Sequence, residues 1–395
     1  MPAALNLLLF VLLAPALLGC SYLLILTLLS RRMPQQLAAR KDLRFDIIVP
    51  AHNEAGIIKQ TLQSLKKLDW PETHYRIIVI ADNCTDDTAA IASANGATVL
   101  KRHNDTQRGK GYALDHGIRF FLESSPGDAV VVIDADTQVS ENLLSCFAAR
   151  LSSGADAIQA HYGVLNPNDS WRTRLMTIAY SAFHAVRSRG RERLHVSCGL
   201  RGNGMCFSRA LLLEQPPQVY SLAEDVEYGV LLGLNDVRVH YADEALVLAE
   251  LPTSGADSAS QRQRWEGGRF AVAKAYSGKL LHHALRHRSR ISLDLALDLL
   301  TLPLAYLCIS IAVTACLAGL ASLIYPTQFF WLWLCLSLLG ALILHVLRGW
   351  QLSPLGPAAL FDLLRVPFFI AWKLVVMLKQ KGNTNWIRTK RNNRH

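Results

Sequence analysis

Ala129-Val130-Val131-Val132-Ile133-Asp134-Ala135-Asp136 sets five apolar residues directly against two carboxylates. A run this continuous is too apolar for a half-exposed strand and reads as one buried on both faces, as in a parallel sheet. Working outward, Phe45-Asp46-Ile47-Ile48-Val49-Pro50 and Arg76-Ile77-Ile78-Val79-Ile80 have the same character. Between them Ile57, Ile58, Leu62, Leu65 and Leu68 fall on one helical face, and Thr85-Asp86-Asp87-Thr88 opens a second helix ending near Gly96. The order β-α-β-α-β predicts an α/β, Rossmann-like domain with right-handed crossovers and helices on both faces of the sheet. Ligands of such folds bind at the carboxyl ends of the strands. Asp82, Asp134 and Asp136 all fall there. A lone Asp at a strand end is commonly a cap, but three on one sheet point to a nucleotide site.

The rest of the chain is arranged around a membrane. Residues 3–29 carry no charge, which is long enough to cross a hydrocarbon core. Arg31, Arg32, Arg40, Lys41 and Arg44 follow with only Asp42 against them, so the positive-inside bias puts this end in the cytoplasm and the N-terminus outside. The apolar stretches 299–324 and 329–347, joined by Tyr325-Pro326-Thr327-Gln328, predict two further spans. Residues 357–378 hold Asp362, Arg365, Lys373 and Pro367. A charge at mid-bilayer costs about 3 kcal/mol, and this stretch reads as an interfacial helix that keeps the basic tail cytosolic. The expected layout is a spanning helix at 1–30, a cytosolic domain at 31–290, two spans at 291–350, the interfacial helix at 351–380 and the tail at 381–395: a multi-pass integral membrane protein. Because the net charge of +10 gathers beside the apolar segments, lipid headgroups rather than nucleic acid are its expected partner. The eight cysteines show no C-x-x-C pairing and read as reduced thiols rather than a zinc site.

Asp134 and Asp136, two apart, point to the same side of an extended backbone. Mg²⁺ or Mn²⁺ held by one or two carboxylates is the usual partner of a diphosphate. D-x-D alone is a weak signal. It stands in a series, however: Pro50-Ala51-His52-Asn53-Glu54, Asp82, Lys110-Gly111-Tyr112, Asp134-Ala135-Asp136, Glu224-Asp225 and Gln261-Arg262-Gln263-Arg264-Trp265. In this order the chain resembles membrane-bound, processive glycosyltransferases of family 2, the class of cellulose, chitin and hyaluronan synthases, and also ceramide glucosyltransferase. The resemblance implies a GT-A domain carrying out inverting transfer of a sugar from a nucleotide-diphosphate donor, with UDP expected. It implies Asp225 as the base with Glu224 tuning it. Pro50, Glu54, Asp82, Lys110 and Asp134 would bind the donor, with Asp134 nearer the nucleotide than the metal. Asp136, with Asp134, would hold the ion, and Arg264 would meet the leaving diphosphate. Asn203, Gln261 and Trp265 would face the acceptor. Arg201-Gly202-Asn203-Gly204 fits a loop near donor sugar or acceptor, and equally a plain turn.

Trp386-Ile387-Arg388-Thr389-Lys390-Arg391 resembles the W-x-x-T-x-R segment that closes over the nucleotide in related synthases, with Trp386, Thr389 and Arg391 on the donor. A membrane-binding polybasic tail is the other reading. Two acceptors stay open, with a polysaccharide of the cell surface as the first reading and a single membrane lipid as the alternative. Q-x-x-R-W favours a growing polysaccharide, whereas few spans favour a single membrane lipid, unless an accessory subunit or homo-oligomer completes a pore. A nucleotidyltransferase is a third reading, disfavoured because no glycine-rich phosphate signature stands near the N-terminus.

Overall fold

The computed structural model describes residues 2–36, 41–251 and 255–368, with side chains throughout these except at 2 and 255–264. Helix α1 (Pro2–Leu28) leads into strand β1 (Phe45–Ala51), helix α2 (Ile58–Leu65), β2 (Tyr75–Asp82), α3 (Thr88–Ala94), β3 (Thr98–Arg102), α4 (Lys110–Ser124), β4 (Ala129–Val132), β5 (Thr137–Val139), α5 (Leu143–Ser152) and β6 (Ala157–Val164). Helices α6 (Trp171–Tyr180) and α7 (Arg187–Arg193) follow, joined through a π-helical turn at Ser181–Val186. Then come β7 (Met205–Ser208), α8 (Arg209–Glu214), α9 (Glu224–Leu234), β8 (Val239–Ala249), α10 (Gly255–His287), α11 (Arg290–Leu300), α12 (Leu304–Ser322), α13 (Phe329–Leu352) and the short α14 (Ala359–Asp362).

The strands form one sheet in the order β3-β2-β1-β4-β7-β6-β8-β5. β1 to β4 are mutually parallel, as the apolar runs predict. β7 is antiparallel to both β4 and β6, so the sheet as a whole is mixed. The continuous apolar runs are explained by alternation between two buried faces. Ile47, Val49, Val79 and Val131 pack with Leu62, Leu65 and Phe147 on one face. Ile48, Ile78, Ile80, Val130 and Val132 pack with Leu114, Ile118 and Phe121 on the other. Register sets Ile48 opposite Val132 and Ile78, which brings the loops after β1, β2 and β4 to one edge.

Three helices among the described residues, Ala3–Leu28, Leu304–Ser322 and Pro326–Leu352, are long and apolar enough to cross a membrane. The apolar stretch 299–324 is not a single helix. It breaks at Thr301 to Pro303, and α11 on the near side turns Asp294 and Asp298 into buried pairs with Arg191 and Arg187. Pro303 lacks the N–H that a continuous helix would need. Of the segment 357–378, the described part ends at 368; within it Asp362 is held by Arg174 of α6 at 2.5 Å.

Two of these apolar helices, α1 and α13, pack on the α6–α7 helix at two glycines. A Cβ on Gly190 would lie 2.7 Å from the Leu26 carbonyl oxygen of α1, and one on Gly349 of α13 would lie 2.8 Å from the Ala182 Cβ. Helix propensity alone favours Gly190→Ala by about 1 kcal/mol. The obstructing atoms are backbone and cannot swing aside, and overpacking costs about 1–3 kcal/mol. Gly190→Ala is therefore expected to lower the thermal midpoint in detergent. Gly278→Ala in α10, with nothing near its Cβ, is expected to leave it unchanged or raise it.

Candidate active site

The loops after β1 and β2 are laced together before any ligand is considered. Asn53 sits at φ +57, which frees its carboxamide oxygen to accept from the Thr85 backbone N–H at 2.7 Å. The Glu54 N–H donates to Thr88 Oγ1 at 2.8 Å, and His52 Nδ1 lies 2.8 Å from the Asp82 carbonyl. Asp82, buried at the end of β2, accepts from Arg102 Nη1 at 2.6 Å and from Asn83 Nδ2 at 3.3 Å. Arg102 in turn lies over the ring of Tyr112, which stacks on Tyr220 at 4.2 Å. No sequence motif marks Arg102, because a lone arginine on a short edge strand has no spacing to betray it.

Lys110 opens α4 after Gly109, whose φ of +128 only glycine adopts readily. Its ammonium is bonded to Asp134 and donates to the Gly202 carbonyl at 2.5 Å. Burial alone would lower its pKa, but Asp134, Glu224 and Asp225 around it hold it above the ordinary lysine value. Gly202, at φ +77, passes against the Asp225 carboxylate, with 3.1 Å from an ideal Cβ to Oδ2. The Gly199–Gly204 loop thus brings the Lys110–Asp134 pair and the Glu224–Asp225 pair to one place, which chain order alone does not reveal.

Glu224 and Asp225 form the first turn of α9. Burial, and then the neighbouring charge of Asp225, push Glu224 up to about 7 against the pull of Lys110. Burial likewise raises Asp225, with Lys110 opposing. Both line a cavity of about 20 Å³ whose other walls, Leu114, Ile118, Val132, Met205, Phe207 and Tyr228 among them, offer little polar solvation. It has room for about one water molecule.

Asn203 is completely buried. Its oxygen accepts from the Asp134 N–H at 3.1 Å, its nitrogen donates to Thr137 Oγ1 at 2.8 Å, and its carbonyl accepts from Gln159 Nε2 at 2.7 Å. The residue clamps the Asp134-Ala135-Asp136 turn. Thr61 Oγ1, donating to the Ala135 carbonyl at 2.7 Å, fixes the other side. Asp134 and Asp136, two carboxylates on a turn whose backbone is fixed from both sides, are chemically suited to hold a hard divalent ion, which would supply charge to a diphosphate. No group of three or more His, Cys, Asp or Glu suited to a metal occurs among the described residues, so no all-protein cage competes with that arrangement.

Trp265, exposed on α10, lies 6.2 Å ring to ring from Tyr180. Tyr180 also meets His184 at 5.0 Å and Tyr162 at 5.8 Å, and the charge of Asp136 is felt at both tyrosines. This aromatic wall comes from β6, the last residue of α6 and the π-helical turn. Sequence reading found Trp265 but missed the other three, since nothing in Tyr180-Ser181-Ala182-Phe183-His184 announces the extra residue per turn. The side chains of Gln261 and Arg264 lie outside the described residues, as do Trp386, Thr389 and Arg391. Pro50, next to last in β1, pairs with Ile80 of β2, on the same edge as Asp82.

Comparison with known proteins agrees with this geometry. Residues 43–268 match the model for glycosyltransferase-like family 2. A protein described as a probable glycosyltransferase, YdaM of Bacillus subtilis, is 25% identical over 62% of this chain and 60% of its own length. The beta-monoglucosyldiacylglycerol synthase of Synechocystis is 28% identical over 56% of this chain and 47% of its own. The chain thus spans about half to three fifths of the length of these relatives. The solved mannosyltransferase PcManGT of Pyrobaculum calidifontis, in complex with GDP-Man and Mn2+, aligns with a TM-score of 0.52 at 18% identity, over 85% of this chain and 99% of that one. That likeness bears on the fold, a GT-A-type α/β domain. With more than half its length in the family model, the chain is a member of glycosyltransferase-like family 2.

Proposed function

We propose that the protein transfers a sugar, with inversion, from a nucleoside-diphosphate donor to a membrane lipid on the cytoplasmic face of a bilayer, aided by Mg²⁺ or Mn²⁺. One observation carries the reading. The Gly199–Gly204 loop joins a cation–carboxylate pair suited to a diphosphate, Lys110 with Asp134, to a desolvated acid pair suited to a base, Glu224 with Asp225. Inverting transfer needs both, on opposite faces of the sugar.

On this reading Asp225 takes the acceptor proton. Asp82, Pro50 and Glu54 hold the nucleoside end. Lys110 places the diphosphate, and Asn203 fixes the D-x-D turn, which would hold the ion. Bound there, the ion would neutralise charge on the leaving group. Trp265 and Tyr180 offer aromatic faces to the acceptor. Gln261, Arg264 and the segment with Trp386, Thr389 and Arg391 keep the acceptor and donor roles their motifs imply. Uridine remains the expected base; the relatedness to an archaeal structure holding GDP-Man keeps guanosine in the donor panel.

Two observations favour a lipid over a growing polysaccharide. Three candidate spans are few to enclose a polymer, and Phe270, beside Trp265 in the same helix, meets Tyr306 in the first turn of membrane helix α12 at 6.0 Å. A relative named as a glucosyldiacylglycerol synthase points the same way. The test is a panel of radiolabelled nucleotide sugars with membranes containing the protein, where label should enter the organic phase rather than a polymer.

A pH profile tests the base. Because both carboxyls are raised, kcat/KM is expected to climb with pH through an ascending limb near neutrality, where the pair gives up its last proton. Glu224→Gln removes the like charge that opposes ionisation of Asp225. The limb should then move to lower pH; an unmoved limb would count against the coupling.

A further inference from the structure

We infer that the membrane-side wall of this site binds an anionic head group, so that the acceptor is a phosphate-bearing lipid rather than an uncharged one. The inference rests on the glycosyltransferase reading above.

Arg187, Arg191, Arg201 and Arg269 converge between the active-site loop and the apolar helices; among the described residues Asp294 and Asp298 are their ion-pair partners, and the charge of Arg201 also reaches Asp225. Arg191 Nε lies 2.6 Å from Asp294 Oδ2, and its Nη1 3.5 Å from Asp298. Arg187 is paired with Asp298 too, and Arg269 Nη2 is 3.3 Å from the same carboxylate. Four guanidinium groups therefore share two carboxylates, and Arg201 forms no ion pair among the described residues. Its Nη2 donates to the Cys198 carbonyl at 3.0 Å, while its Nε has no partner among the described residues. Arg187 Nε, Arg191 Nη2 and His184 Nδ1 are likewise buried and without a partner among the described residues. Buried donors without acceptors are rare, and their concentration at one place calls for an acceptor group that arrives from outside.

The crowding is real in charge as well as in hydrogen bonds. Three guanidinium carbons surround the Phe183 ring: Arg201 at 4.2 Å, Arg187 at 4.6 Å and Arg269 at 5.7 Å. Burial, with Arg191 and Arg187 beside it, pulls the Arg201 guanidinium down to about 10 even though Asp298 lies near. Phe183 and His184 stand on the π-helical turn, a distortion that recurs at functional sites.

Placement ties the cluster to the acceptor. Arg201 directly precedes Gly202, which abuts the Asp225 carboxylate. His184 abuts Tyr180, which reaches Trp265. On the other side Tyr22 of α1 donates to Asp294 at 2.9 Å, and the Phe270–Tyr306 contact leads into α12. A head group at Arg201 and Arg269 would thus have its reacting hydroxyl towards Asp225 and its tail towards the membrane helices. The donor diphosphate has its own cation, Lys110, whose ammonium donates to the Gly202 carbonyl.

The full-length protein is reconstituted with the total lipid of its expression membranes and given radiolabelled nucleotide sugars whose sugar is uncharged. The labelled lipid is then separated by anion exchange. The expected result is roughly tenfold more label in the acidic fraction than in the neutral one, the scale set by charge-assisted hydrogen bonds. Label mainly in neutral lipid overturns the inference while leaving glycosyl transfer intact; absence of nucleoside diphosphate release under every condition would instead defeat the proposed function. Inorganic phosphate is expected not to slow transfer, and strong competition by it would assign the site to the free ion. Arg201→Gln should raise KM for the acidic lipid roughly tenfold with the donor KM and thermal midpoint unchanged, and Arg201→Lys should recover part of it. A rise confined to the donor KM would give these arginines to the leaving diphosphate and overturn the inference.

Discussion

Purified Asp225→Asn protein is expected to lose roughly 10²–10⁴ of its transfer rate, the usual worth of a positioned general base, while still binding donor. The substitution keeps shape and hydrogen-bonding capacity, so the first turn of α9 and the Gly202 contact should survive. What disappears is the only function the reading gives this atom, acceptance of the acceptor proton. The surroundings make the loss specific. Lys110 stays bonded to Asp134, so the donor side keeps its cation, and it is Asp225 whose carboxylate abuts Gly202. Donor affinity, read by calorimetry with nucleoside diphosphate, should change little. An Asn variant with wild-type turnover would remove Asp225 from the chemistry; one that no longer binds nucleotide would give it a structural role.

The second large effect is expected from the D-x-D turn. Chelation of divalent ions should abolish release of nucleoside diphosphate, with activity returning on addition of Mg²⁺ or Mn²⁺. Asp136→Ala should reproduce the chelated state permanently, at a cost of at least about a hundredfold. The turn itself should persist, because Asn203 and Thr61 hold its backbone and neither depends on the Asp136 carboxylate. A variant at Asn203 separates the two roles: Asn203→Ala leaves both carboxylates but releases the Asp134 N–H and Thr137 hydroxyl, so it should weaken stability and activity together. Full activity after chelation would remove the ion from the account.

How much of this was legible in sequence follows from what each residue type can signal alone. Strands β1, β2 and β4 announced themselves because both faces of each are buried, which leaves no polar alternation. Asp82, Asp134, Asp136 and Glu224-Asp225 were visible as acids where apolar strands or helices begin or end. The antiparallel half of the sheet was not, since β5 has three residues and β7 four, too short for a period to show. The joint between α11 and α12 hid inside an apolar run; only Pro303 and two aspartates that find arginine partners more than 100 positions away mark it. Arg102, Tyr162, Tyr180 and His184 were invisible for the same reason. Their meaning lies in partners brought together by the sheet and by one π-helical turn, and no local spacing encodes it.

The central claim is glycosyl transfer from a nucleoside-diphosphate sugar to lipid. It is tested most directly by incubating the reconstituted protein with a donor labelled in both the sugar and the β-phosphate, and separating the products. Sugar label in the organic phase, matched by an equal amount of labelled nucleoside diphosphate in water, is the predicted result. Labelled sugar 1-phosphate, or sugar label that never leaves the aqueous phase, would contradict it.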